Sequence, residues 1–285
     1  MRLLNILKSN NIIKASPDDL LANVLSKLST SHDAAFVFAE NKFLGMINPY
    51  YSVIKASHPG NTKVIHCLSH PPKIFLNFPL VKVCDAFIQS KIHYLPVFDE
   101  KEKFLGIISA RRVLNYLKDL PIFKIKIETF IEGEARPIVA IYEDDSIAKA
   151  VSLFKSTKLS KLIVINRDMK LRGILSYYDL IAYVMTPKES PGRGERTGKK
   201  VHYLNHQVKN LIKTSVLTLK KENFLFEAIK LILDKKIGSV IIIDEERHPI
   251  SVITTKDILK FYINSERSFF NIIKPVRRIF ERKNH

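Results

Sequence analysis

The sequence predicts an α+β (α/β-like) fold assembled from one small strand–helix–strand–strand–helix unit, used four times and packed in two pairs. Three observations predict it. A lysine, an apolar strand, a polar turn and a second strand recur along the chain in constant register. Apolar residues fall at helical spacing ahead of these strands and in short continuous runs within them. A hydrophobic share of 46% with 26% charged residues over 285 positions describes a folded chain with core enough for one to three domains.

The clear copies start with a lysine ahead of a strand: Lys91–Asp99, Lys158–Asn166 and Lys236–Asp244. Each is followed by a second strand running into a helix: Leu105–Leu114, Arg172–Ile181 and Ile250–Leu259. From the lysine to Gly106, Gly173 or Ser251 is 15 residues in all three. A weaker copy opens the chain, Ala35–Phe38 and then Leu44–Val53. Ile147, Ala150, Val151 and Phe154 share one helix face, as do Leu225, Ala228, Ile229 and Ile232. The runs Leu162–Ile165 and Val240–Ile243 read as buried strands. One unit alone leaves an apolar sheet face uncovered, so copies pack in pairs. The expected boundaries are 1–121 for the first pair (repeats 12–58 and 64–120) and 122–264 for the second (repeats 125–185 and 204–264).

The order helix, apolar strand, turn, Gly-apolar-apolar-Ser/Thr-x-x-Asp, helix resembles the CBS domain, named after cystathionine β-synthase. Two such repeats pack through their sheets as a Bateman module. The resemblance covers about residues 12–264. It implies two CBS-pair modules and a regulatory, non-enzymatic homodimer with no required cofactor. It also implies an adenosine-containing ligand: AMP, ADP or ATP first, S-adenosylmethionine next.

Ser176–Asp179 and Thr254–Asp257 each lie where a strand ends and a helix begins. A capping box accounts for both: the hydroxyl caps the first turn and the carboxylate reaches back to the N-cap amide. The same geometry also suits a nucleotide. Helix-start amides and a hydroxyl receive phosphate oxygens, and an acid one turn in accepts ribose hydroxyls. By the resemblance, Asp179 and Asp257 are ribose ligands, Ser176 and Thr254 lie beside the phosphates, and Lys256 neutralises phosphate charge. The base slot, in a cleft between the third and fourth repeats, is then walled by Arg136 to Ile138 and Thr214 to Val216. Ser160-Lys161 and Gly238-Ser239 complete it.

The first pair departs from this pattern. It keeps Gly106 and Ser109, but Arg112 stands where the ribose carboxylate belongs, and arginine is a donor alone. Asn48 and Tyr51 hold the matching places in the first copy. Either the pair is structural or dimer-forming, which is the favoured reading, or it holds an anion through Arg111 and Arg112. No second phosphate-binding element is visible in the sequence.

The net charge of +18 attracts polyanions, although a Lys- and Ile-rich coding composition produces the same balance. The linker 186–203 is rich in Gly, Pro and charge and reads as a mobile loop, either a plain connection or a basic lid over the cleft. The tail 265–285 is basic and amphipathic, with Pro275 expected to kink it or start a new helix. Its apolar face packs on the protein's own modules or across a dimer. The rival function, a nucleic-acid-binding protein, would use this tail and the loop. His66, Cys67, His70, Cys84 and His93 match no standard zinc spacing, so no metal is expected. Gly194–Lys200 is one residue short of a phosphate loop and lacks Ser or Thr after the lysine. Two cysteines, no signal-peptide pattern and no apolar run near ~18 residues lead to the expectation of a cytoplasmic protein without a transmembrane segment.

Overall fold

β-branched and aromatic runs form the strands, and apolar stripes at helical spacing form the helices that cover them. The computed structural model describes residues 3–28, 34–90, 92–133, 138–181 and 204–281, with backbone alone over 269–281. Arg136 and the linker 186–203 lie outside the described residues.

In chain order the elements are β1 (Lys14–Ala15), α1 (Leu21–Ser26), β2 (Ala35–Ala39), β3 (Lys42–Ile47), β4 (Ile74–Phe75) and α2 (Leu80–Ser90). Next come β5 (Tyr94–Phe98), β6 (Phe104–Ser109), α3 (Ala110–Leu117), α4 (Ile127–Glu132), β7 (Ala140–Tyr142), α5 (Ile147–Thr157) and β8 (Lys161–Ile165). The last are β9 (Leu171–Ser176), β10 (Thr218–Leu219), α6 (Leu225–Asp234), β11 (Ser239–Ile243), β12 (Pro249–Thr254) and α7 (Thr255–Glu281). After β3 the chain makes a π-helical turn, Tyr50–Lys55, and after β9 a 3-10 turn, Tyr177–Leu180.

The strands form four three-stranded sheets of one design: a short entry strand parallel to the first strand of an antiparallel hairpin. Every hairpin slips register near the end of its first strand, at Val37/Phe38, Val97/Phe98, Val164/Ile165 and Ile242/Ile243. A bulge repeated at one position is a feature of the unit, not a local accident.

The recurring glycine has a mechanical cause. The backbone leading into one repeat crosses the second strand of its neighbour, so that Lys8 bridges Ile107, Ser69 bridges Met46 and Lys213 bridges Ile174. A Cβ on Gly106 would lie 2.4 Å from the Lys8 carbonyl oxygen, and one on Gly173 2.8 Å from that of Lys213. Two of the recurring lysines, Lys158 and Lys236, take left-handed backbone (φ 56° and 52°) just after α5 and α6, where the helix turns into the strand.

Apolar faces are covered in two ways. The first two sheets meet through Phe36, Met46 and Ile107, and the last two through Ile163, Leu171, Ile241 and Ile243. Helical faces pair differently. Val83, Phe87 and Val113 of the second unit pack with Ile229, Ile258 and Tyr262 of the fourth, while Val24 and Tyr50 of the first pack with Phe154 and Tyr177 of the third. Sheet contacts and helix contacts alternate, so the four units close a ring.

Of the two expectations for Pro275, a kink or a new helix, no new helix starts there. α7 runs on to Glu281 with Pro275 inside it, so the start of the tail continues the last helix of the fourth unit. The helix is long enough to outlast the single i→i−4 bond that proline removes. Ahead of the tail it buries Ile258, Leu259, Tyr262 and Ile263, and at the start of the tail Arg267 pairs with Asp85 of α2 at 2.7 Å. No helix among the described residues is long and apolar enough to cross a membrane.

Candidate functional site

β12 ends at Thr254 and α7 begins one residue later, leaving the first amides of the helix without carbonyl partners along the chain. Thr254 and Asp257 close this end reciprocally. The Thr254 amide and hydroxyl donate to Asp257 Oδ2 at 2.9 and 2.6 Å, and the Asp257 amide donates to Thr254 Oγ1 at 3.3 Å. The cap therefore fixes the carboxylate, which is 6% exposed.

Asp257 lines a cavity of about 380 Å³ between the third and fourth units. Ile138, Ile163 and Val252, which belong to one apolar cluster, line it together with Ser160, Gly238 and Ser239. His93 of the second unit and Phe130 of α4 help close it. Lys158, Lys161, Lys256 and Lys260 also line it, and Asp257 is the sole carboxylate among the described lining residues. An apolar slot beside a cation-rich wall with one fixed acid can hold a planar ring, a hydroxylated sugar and phosphate together.

Lys161 opens β8, and its Nζ donates to Ser239 Oγ at 3.3 Å. Burial, with the charges of Lys213 and Arg111, pulls its ammonium down to about 8 against the opposing pull of Asp179. The site thus contains a lysine that titrates just above neutrality, in a region where positive charge is crowded.

The structure brings Ile138, Gly238, Ser239, Thr254, Lys256 and Asp257 together around this cavity. Ser176, Asp179, Thr214 and Val216 do not line it, so one cleft does not gather both acid–hydroxyl pairs. Ser176 and Asp179 form the same reciprocal cap, with the Ser176 amide and hydroxyl donating to Asp179 Oδ2 at 2.8 and 2.6 Å. Their carboxylate is also engaged by Lys213 Nζ, 3.2 Å from Oδ1. Thr214 is exposed, and Val216 packs in the seam between the last two sheets.

Sequence reasoning did not single out His93, Phe130 or Lys260 for this site. Lys260 was within reach, one helical turn after Lys256. His93 and Phe130 come from distant segments and carry no local signal.

In the first pair, Arg112 Nε donates to the Ile6 carbonyl at 2.8 Å and Nη2 to that of Leu7 at 3.3 Å. Arginine in the place of the carboxylate braces the N-terminal segment, in line with the structural reading. Cys67 sits in the helical core shared by the first and third units and Cys84 in the other, so they share no cluster.

The family model described as CBS domain matches residues 64–119, 134–186 and 208–264. The chain belongs to the CBS-domain family. The crystal structure of a Methanocaldococcus jannaschii protein, put forward as an archaeal homolog of g-AMPK, superposes with a TM-score of 0.77 at 17% identity, covering 92% of this chain and 100% of that one. An uncharacterised Pyrococcus horikoshii protein superposes with a TM-score of 0.61 at 18% identity, covering 91% and 99%. In sequence, the 5'-AMP-activated protein kinase subunit gamma-3 of Sus scrofa is 24% identical over 207 residues, which is 70% of this chain and 39% of that subunit. An uncharacterised M. jannaschii protein is 24% identical over 202 residues, 69% of this chain and 44% of that protein. The chain thus spans less than half the length of these two relatives.

Proposed function

We propose that this chain is a regulatory sensor that binds an adenine nucleotide, AMP, ADP or ATP, in the cavity between its third and fourth repeats. In this reading all four units are CBS repeats, arranged as pairs 1–121 and 122–264, and the protein acts without catalysis as a cytoplasmic homodimer. Asp257 accepts hydrogen bonds from the ribose, Thr254 and the first amides of α7 face phosphate, and Ile138, Ile163 and Val252 pack against the base. Lys256 balances phosphate charge. Ser176 and Asp179 offer a second, similar corner, where a ribose would have to share the carboxylate with Lys213.

The observation that carries the reading is the fixed, buried Asp257 at a helix start inside a slot with one apolar wall and four lysines. The kinship with a subunit of an AMP-activated kinase supports the ligand class. The cationic lining favours a phosphorylated ligand over S-adenosylmethionine, whose sulfonium would add a further positive charge.

Calorimetric titration with ATP, ADP, AMP and S-adenosylmethionine tests it, on the native protein and on Asp257→Ala and Asp179→Ala variants. Loss of the carboxylate should weaken nucleotide binding roughly 10- to 100-fold, as removal of charged hydrogen bonds does. Absence of binding by all four ligands would reduce Thr254–Asp257 to a helix cap and overturn the reading.

A further inference from the structure

A second cavity, of about 640 Å³, opens where the second and fourth units meet the N-terminal segment. In sequence this corner offers Arg111 and Arg112 and no further phosphate-binding element. Folding supplies it. Lys8 arrives on the segment that crosses β6, Lys236 from the end of α6, and His93 from the start of the second unit's hairpin. Among the described residues lining the cavity there is no carboxylate.

The two arginines divide the work. Arg112 is spent on the carbonyls of Ile6 and Leu7, which holds Lys8 against Ile107. Arg111 lines the cavity together with Lys8 and Lys236. The start of α3, capped by Ser109, points its positive end to the same place. Arg111 is also close enough to Lys161 to help depress that ammonium.

We propose that this cavity is a separate anion site for a small chain of linked phosphates, held by Arg111, Lys236 and Lys8 without recognition of a ribose. The class follows from the lining. Three fixed-charge cations with room for more than one phosphate favour a multivalent anion over a single phosphate. With Arg112 where the other pair has Asp257, the corner offers a ribose no carboxylate to accept its paired hydroxyls, so the phosphates carry the binding. His93 lines both this cavity and the one at Asp257, so the two sites share a wall.

The test is calorimetric titration of the full chain with sodium tripolyphosphate, alone and with the protein saturated by ATP. The native protein should bind it, with affinity falling as salt rises, and binding should persist under ATP and in Asp257→Ala. An Arg111→Ala/Lys236→Ala variant should lose at least tenfold, and Arg111→Lys/Lys236→Arg should keep most of the affinity, which separates lost charge from lost folding. Absence of binding, or binding equal in the alanine variant, overturns the proposal. So does loss of tripolyphosphate binding under ATP, which would assign the phosphates to the nucleotide cavity. Failure of the nucleotide reading would show instead as ATP binding unaffected by Asp257→Ala, with the tripolyphosphate result untouched.

Discussion

Replacing Gly106 by alanine would put a carbon 2.4 Å from the Lys8 carbonyl oxygen, with a backbone φ of +156° that side chains disfavour. The obstacle is backbone, so it cannot rotate away. Relief requires the crossing segment to lift, which stretches the two hydrogen bonds, 2.8 Å each, that join Lys8 and Ile107. At ~1 kcal/mol for each bond and ~1 kcal/mol for the strained φ, the cost is about 3 kcal/mol. Gly173→Ala meets the Lys213 carbonyl at 2.8 Å and two Ile212 atoms at 3.2 Å without the positive φ, for about 2 kcal/mol. Gly45→Ala, 3.0 Å from the Ser69 carbonyl, should cost about 1 kcal/mol. Gly133 is the control: it ends α4, its nearest neighbour is 3.9 Å away, and alanine there should be neutral or stabilising by ~0.5 kcal/mol. Urea unfolding of the four variants reads the order directly. If Gly106→Ala costs no more than Gly133→Ala, the crossing does not explain the recurring glycine.

Lys161→Met should stabilise the ligand-free protein. The folded-state pKa, about 8, lies below the ordinary 10.5, so the native state bears the cost of a charged, half-buried ammonium up to pH 8 and sheds it as pH rises towards 10.5. After discounting for partial exposure and for the lost bond to Ser239, the gain at pH 7 is on the order of 2 kcal/mol and should vanish near pH 10.5; a gain that does not change with pH contradicts the assignment. Both thiols should react slowly with a disulfide reagent at pH 8, because burial pushes Cys84 up to about 12 and also raises Cys67. Rapid titration of two thiols in the native state would show that those cores open. Since α7 carries Asp257 at its start and Tyr262 in the core of the second unit, ATP should also raise hydrogen-exchange protection in α2, against which α7 packs. Protection confined to the third and fourth units would leave that helix a passive support.

The local unit was legible because each of its parts has a short-range cause. Of the two predicted faces, Ile147, Ala150 and Phe154 and all of Leu225, Ala228, Ile229 and Ile232 are buried while Val151 is partly so, and Ser146 caps α5 by accepting a hydrogen bond from the Lys149 amide. Pairing through sheets followed from the same logic, since an apolar sheet face demands a cover. The helical pairing, first unit with third and second with fourth, did not follow. The faces that meet there, such as Phe87 against Tyr262, are apolar in every unit, so periodicity does not say which belongs with which. The candidate site divides the same way. Asp257, Thr254 and Lys256 are adjacent in sequence and were found together, whereas His93 and Phe130 reach the cavity through that helical pairing. The reason for the glycine was equally hidden, because the carbonyl it makes room for lies about a hundred residues earlier in the case of Gly106.

One geometry, a strand end turning into a helical segment, is filled with four chemistries. In the first unit Asn48 Oδ1 accepts from the Tyr50 amide at 3.0 Å, and the Ser52 hydroxyl donates to the Asn48 carbonyl at 3.0 Å, a neutral cap that uses local groups. In the second, Ser109 caps and Arg112 turns outward to hold another segment's carbonyls. In the third, Ser176 and Asp179 cap, and Lys213 covers the carboxylate. In the fourth the same cap lies against a cavity with four lysines. The caps are interchangeable as folding devices, each satisfying orphan amides of a helix start. They differ in the charges gathered around the cap: none on the cap itself in the first, an arginine in the second, one lysine on the carboxylate in the third, and a lysine-lined cavity beside the carboxylate in the fourth. In the proposed reading, a ligand that carries both sugar hydroxyls and phosphates is matched best by the last of these. In that reading the charge around the cap, more than the motif itself, decides which repeat takes a ligand.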